Sequence, residues 1–118
     1  MKAGPRRMPK DAGPQAPAHL ESATAAWWLS VVTTWELDEH HVRLLTLASE
    51  AFDRAVAARK IIARRGLTFK DRWGQPKPRP EVAIERDARI AFARLLRELD
   101  LDVDPPPEGR RPPPLTRM

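Results

Sequence analysis

Side chains able to do covalent or metal chemistry are sparse in this chain. There is no Cys, which removes disulfides, thiolate nucleophiles and sulfur-rich metal sites. His40 and His41 form an adjacent imidazole pair beside Asp38 and Glu39. Neighbouring residues of a helix point about 100° apart, so the two rings do not readily share one ion. The four are read as polar residues of a helix start. Ser22 and Ser49 fall in helical patterns without a nearby general base. The five Gly are scattered and no GxxxxGK[ST] phosphate loop occurs. No nucleophile, base and oxyanion donors assemble into one set. The expectation is a protein that is not an enzyme, with no catalytic residues, metal or cofactor.

What remains is charge, and it is segregated. The net charge of +5 hides a block of nine basic and one acidic side chains over residues 54–79, and a block of one basic and six acidic over residues 21–53. Such blocks suit a polyanion at the basic site or an acidic protein surface. Phosphate contacts need only donors and charge. Arg59, Arg64 and Arg65 lead along one helical pattern toward Lys70, Arg72, Lys77 and Arg79, and these seven are candidate DNA contacts. Lys2, Arg6, Arg7 and Lys10, in the N-terminal "KAGPRRMPK", are candidates as a basic arm. Trp73 either stacks on a base or sugar or caps the small core, and the core is the favoured reading.

The elements that must position these groups follow from periodicity. Residues 1–19 hold four Pro and residues 105–118 hold six, so both ends are expected to be disordered. A core is left to residues 20–104, small enough that self-association is a natural way to enlarge it. A first helix is predicted from about Ser22 to Glu36, with Ala25, Trp28, Leu29, Val32 and Trp35 in one stripe and Trp27 and Val31 off it. That spread predicts burial on two sides. Trp27 and Trp28 either both fill a core within the chain or one of them reaches a neighbouring subunit, and Trp27, Trp28, Trp35 and Phe52 are the candidate contacts with a second copy. Asp38 is an N-cap for a second helix, with Leu37 and Val42 as a hydrophobic staple. Its small residues Ala48, Ala51, Ala55 and Ala58 permit close helix contact, and Gly66 ends it. The short link makes helices 1 and 2 an antiparallel hairpin. Residues 67–74 predict a small basic β-hairpin or ordered loop, but Pro76 and Pro78 argue against regular pairing on the return side. Pro80 opens a third helix, with Glu85–Arg89 and Arg94–Glu98 as i,i+4 pairs. The fold class is mainly α: an antiparallel helical hairpin, a third helix, and a short basic β-hairpin or loop between helices 2 and 3. No apolar run approaches the roughly 18 residues of a membrane span, and prolines follow the basic N-terminus where a signal peptide would carry an apolar segment.

The order of these features is a helix carrying "WW", then "WELDEHHVRLLTLASEAFDRA", then "GLTFKDRWGQPKPRPEVAIERDARIAFARLLRELDLD". It resembles the P27-like family of small terminase subunits of tailed bacteriophages, with prophage and gene-transfer-agent relatives, over about residues 20–104. Arg79 departs from the resemblance, since many relatives have His before the proline. The resemblance implies a protein that recognises double-stranded viral DNA. It also implies assembly as a homo-oligomeric ring and regulation of a large terminase subunit holding the ATPase and nuclease, in the cytoplasm of the bacterial host and away from membranes. The Pro-rich tail is a candidate contact for that large subunit. The basic hairpin faces either DNA or the acidic block of a neighbouring subunit. A small helical adaptor or DNA-binding regulator without a packaging role is the rival reading.

Overall fold

The computed structural model describes residues 13–101 of the chain. Three helices account for most of them: α1 (Ser22–Thr34), α2 (Glu39–Arg65) and α3 (Pro80–Leu99). Two short strands, β1 (Thr68–Lys70) and β2 (Pro76–Pro78), form an antiparallel ribbon between α2 and α3. The expected helix boundaries hold closely, because each helix carries its own stop signals. Gly66 ends α2 with φ of 90°, a left-handed value that favours glycine. Pro80 occupies the first position of α3. Asp100 closes α3 in the left-handed region with φ of 52°.

The dominant helical hairpin is α2–α3, not the α1–α2 pair expected from their short link. The reason is length. At 1.5 Å per residue the 27-residue α2 is about 40 Å long, α3 about 30 Å and α1 about 20 Å. Only α3 can run along most of α2, and the ribbon returns the chain to let it do so. Arg59 meets Glu85, Phe52 meets Phe92, and Leu45 shares a cluster with Leu99. One number rises as the other falls, so the pair is antiparallel. Ala48, Ala51, Ala55 and Ala58 are all buried, as is Ala88 of α3. Their small side chains let the helix backbones approach, which is what the spacing predicts.

The main core sits where α1 meets the start of α2 and the end of α3. Leu20, Trp28, Val31, Leu45 and Leu99 form it, with Leu37, Val42 and Leu96 packed on its flank. Trp28 is 5% exposed, and its indole N–H donates to Thr46 Oγ1 at 3.1 Å. A buried indole needs such a partner. Ala16 also packs against this cluster and His19 Nε2 lies 2.8 Å from Glu50, so packing begins ahead of residue 20.

The start of α1 is held by a group that the sequence reading missed. Glu21 stands at the N-cap position but makes no side-chain cap. Asp53 of α2 reaches across instead. Its carboxylate accepts the Glu21 N–H at 2.9 Å and the Thr24 hydroxyl at 2.6 Å. Asp53→Ala frees both donors, and a cap of this kind is worth about 1–2 kcal/mol. The expected result is a lower urea midpoint at unchanged helix content by circular dichroism.

Candidate nucleic-acid interface

The ribbon is built more firmly than a sequence with two prolines in one strand suggests. Its register pairs Thr68 with Pro78, Phe69 with Lys77 and Lys70 with Pro76. Outside those pairs, Arg79 N–H donates to Leu67 O at 2.8 Å and Asp71 N–H to Gln75 O at 3.0 Å. Hydrogen-bonded and non-hydrogen-bonded pairs alternate in an antiparallel ladder. Pro76 and Pro78 therefore fall at non-hydrogen-bonded positions, where their nitrogens face away from β1. The expectation that they prevent pairing is corrected on this ground: no ladder bond is lost, and the outer edge is closed to a further strand.

Asp71 organises the apex. Its backbone carbonyl accepts from Gly74 N–H at 2.9 Å, and its Oδ1 accepts from Trp73 N–H and Gln75 N–H, each at 2.9 Å. Gly74 has φ of 78°. This is a type I turn followed by a left-handed residue, a common three-residue hairpin loop. The spacing Asp-x-x-Gly in "DRWG" carried that signal. Arg72 and Trp73 occupy the two turn corners, with the guanidinium 5.0 Å from the indole centroid. Trp73 is 75% exposed, so it does not cap the core as favoured from sequence. Residues at the corners of a tight turn point outward, and no core element lies over them.

Arg79 ties the ribbon to α2. Its guanidinium donates to Gly66 O at 3.1 Å, and to Arg65 O and Thr68 O at 3.2 Å each. It also lies 5.9 Å from the Phe69 ring. The Arg65 and Gly66 carbonyls are ones that a helix end leaves without partners, and Thr68 lies in β1, so Arg79 caps α2 and joins it to the ribbon. Arg79→Ala is expected to raise amide hydrogen exchange across residues 66–79 at least tenfold, at little cost in helix content. Arg79→Lys keeps the charge but lacks the planar fork, and should restore little of the protection.

The structure thus divides the candidate cations. Arg59 pairs with Glu85 at 3.5 Å, opposite Arg89 at 3.5 Å on the same carboxylate oxygen. Arg79 is spent on backbone and Arg72 stacks on Trp73. Arg64, Arg65, Lys70 and Lys77 are exposed and form no ion pair among the described residues. Lys77 shares a face of the ribbon with Phe69, and Lys70 shares the other with Pro76. Together with the last turn of α2 they make one basic pole. Lys2, Arg6, Arg7 and Lys10 lie outside the described residues.

The candidate contacts with a second copy lie away from this pole. Trp28 is taken up inside the protomer and Trp35 is half-buried against the core cluster. Trp27 and Phe52 behave differently. Both stack on Phe92, at 6.1 and 5.4 Å between ring centroids, and Phe52 remains 44% exposed. Phe92 lies on α3 and brings the two rings together. His40 and His41 lie closer than helical geometry suggested, with ring centroids 4.1 Å apart and Asp38 within 4.8 Å. His41 Nδ1 there accepts the Asp38 N–H at 3.3 Å, a reach-back bond that caps α2.

The described residues thus form a three-helix module with a basic ribbon at the end of α2 and an aromatic face midway along it. A family model described as phage terminase, small subunit, matches residues 26–105. The chain belongs to that family, whose members are generally non-catalytic, and membership implies a role in phage DNA packaging. Comparison with curated proteins and with solved structures gave no match. Among the described residues no helix is long and apolar enough to cross a membrane.

Proposed function

We propose that this chain is the DNA-binding subunit that brings a large terminase ATPase-nuclease to double-stranded viral DNA, and that it works as a homo-oligomer, in a ring. The observation that carries the reading is the family match over residues 26–105. The basic pole supports it: Arg64, Arg65, Lys70 and Lys77 stand on rigid elements with their charges unspent inside the protomer. The N-terminal arm, with Lys2, Arg6, Arg7 and Lys10, adds charge to the same task, and a ring multiplies weak phosphate contacts by avidity. In this reading the small-terminase-like domain takes in residues 20–104, extended at its start by the packing of Ala16 and His19, and the tail 105–118 is the contact for the large subunit.

The test is binding of a labelled DNA duplex by anisotropy over a salt series, with ATPase stimulation of the large subunit alongside. Affinity should fall steeply and log-linearly with salt, as phosphate contacts require. Binding without salt dependence, or ATPase stimulation independent of DNA and of this subunit, overturns the reading. Removing residues 105–118 should abolish stimulation and leave DNA binding within about twofold. Unchanged stimulation removes the tail from the account.

A further inference from the structure

The apex of the ribbon and the aromatic face are a knob and a hole on one chain. The knob is Trp73 with Arg72 stacked against it, held on a turn in which Asp71 accepts the N–H groups of Trp73, Gly74 and Gln75. Among the described residues little covers it: Trp73 is 75% exposed. An exposed indole on a rigid arm is apolar surface that DNA phosphates do not explain. The hole is a cavity of about 280 Å³ lined by Ala23, Thr24, Trp27, Phe52 and Phe92. Phe52 and Phe92 also form its wall toward a second hollow, where Glu85 lies between Arg59 and Arg89.

Charge selects the occupant. The hole opens within the acidic block 21–53, next to Asp53, whose Oδ1 holds Thr24 of the lining. Glu21 is brought beside it by its N–H bond to Asp53, and both residues line a neighbouring hollow with Lys60 and Arg64. The arm comes from the basic block 54–79 and carries Arg72 beside its indole. The arm cannot be filling the hole of its own chain, because Trp73 is solvent-exposed. It also departs from the end of α2, about 20 Å along the helix from Phe52.

We propose that the Arg72–Trp73 apex of one copy docks into the Trp27–Phe52–Phe92 hole of the next. The indole fills the aromatic cavity and the guanidinium meets the carboxylates at its rim. Buried Trp and Arg are the residue types that most often anchor interfaces. Knob and hole lie on different surfaces, so the contact is head-to-tail and closes into a ring when the rotation allows. The inference rests on the proposal that the protein self-associates, and leaves Lys70 and Lys77 on the flanks of the arm for DNA.

Two variants test it by light scattering. Trp73→Ala removes the knob and leaves the hole. Ala23→Arg fills the hole and repels the arm, at an exposed helical position that accepts Arg without loss of propensity. Circular dichroism should show both folded. Each alone should associate at least about 30-fold more weakly than the parent. Mixed in equal amounts they should form a dimer and nothing larger, because the mixture holds one intact knob for one intact hole. If Trp73→Ala keeps the parent's mass, or the mixture fails to pair while each variant is folded, the proposal is overturned although self-association stands. If the parent chain is a monomer with and without DNA, both fall together.

Discussion

Trp28→Ala is expected to cost about 3–5 kcal/mol, the usual range for emptying a buried aromatic site. Trp28 is central to a cluster with few fully buried members, and a domain of this size holds only about 5–15 kcal/mol in total. Thr46 also loses the donor that its hydroxyl accepts from. The variant should unfold at a much lower urea concentration, or fail to fold at 37 °C. Trp28→Phe separates the two contributions. It keeps most of the packing and gives up one hydrogen bond, for about 1 kcal/mol plus the smaller ring. Equal stability of Trp28→Ala and the parent would mean that the core lies elsewhere. The same substitution at Trp73 should leave stability nearly unchanged, because that residue is 75% exposed and its ring rests against Arg72.

The second large effect concerns DNA. Replacing Arg64, Arg65, Lys70 and Lys77 together by Ala removes four cations from the basic pole without touching Arg79 or Asp71. If all four sit on phosphates, the slope of log affinity against log salt should become shallower by about 3–4. Near physiological salt the affinity should drop on the order of 10²-fold. Arg79 is left in place deliberately. Its loss would loosen the ribbon, and weaker binding would then report misplaced lysines rather than missing phosphate contacts. Unchanged thermal unfolding of the fourfold variant makes the comparison fair.

Much of this fold was legible before any coordinates. Asp38, Gly66 and Pro80 mark helix ends because each has a backbone reason to stand there. The spacing of Ala48, Ala51, Ala55 and Ala58 marked the close face of α2. What misled was the choice of helix partner. A short link between α1 and α2 says that they are neighbours, but the length of α3 decides which pair buries more. The prolines of β2 misled for a related reason. Their effect depends on register, and register is set by the turn at Asp71–Gly74, seen only once both strands are in place.

The candidate site was legible in outline and not in division of labour. Composition identifies a basic segment but cannot say that Arg79 is spent on the carbonyls of Gly66, Arg65 and Thr68, or Arg59 on Glu85. Those assignments need distances. Trp73 shows the same limit. An aromatic residue in a small protein is most often core, and only the turn geometry reveals that it faces outward. Asp53 and Phe92 were missed because their partners, Thr24 and Trp27, are far away in sequence.

The central claim is that the ribbon and the end of α2 form the surface that faces DNA. Cross-linking of the intact, oligomeric protein to a DNA duplex through lysine, followed by peptide mapping, tests it most directly. The account predicts adducts at Lys70 and Lys77. Adducts confined to other lysines, with both of these as free in the complex as in the protein alone, would contradict it.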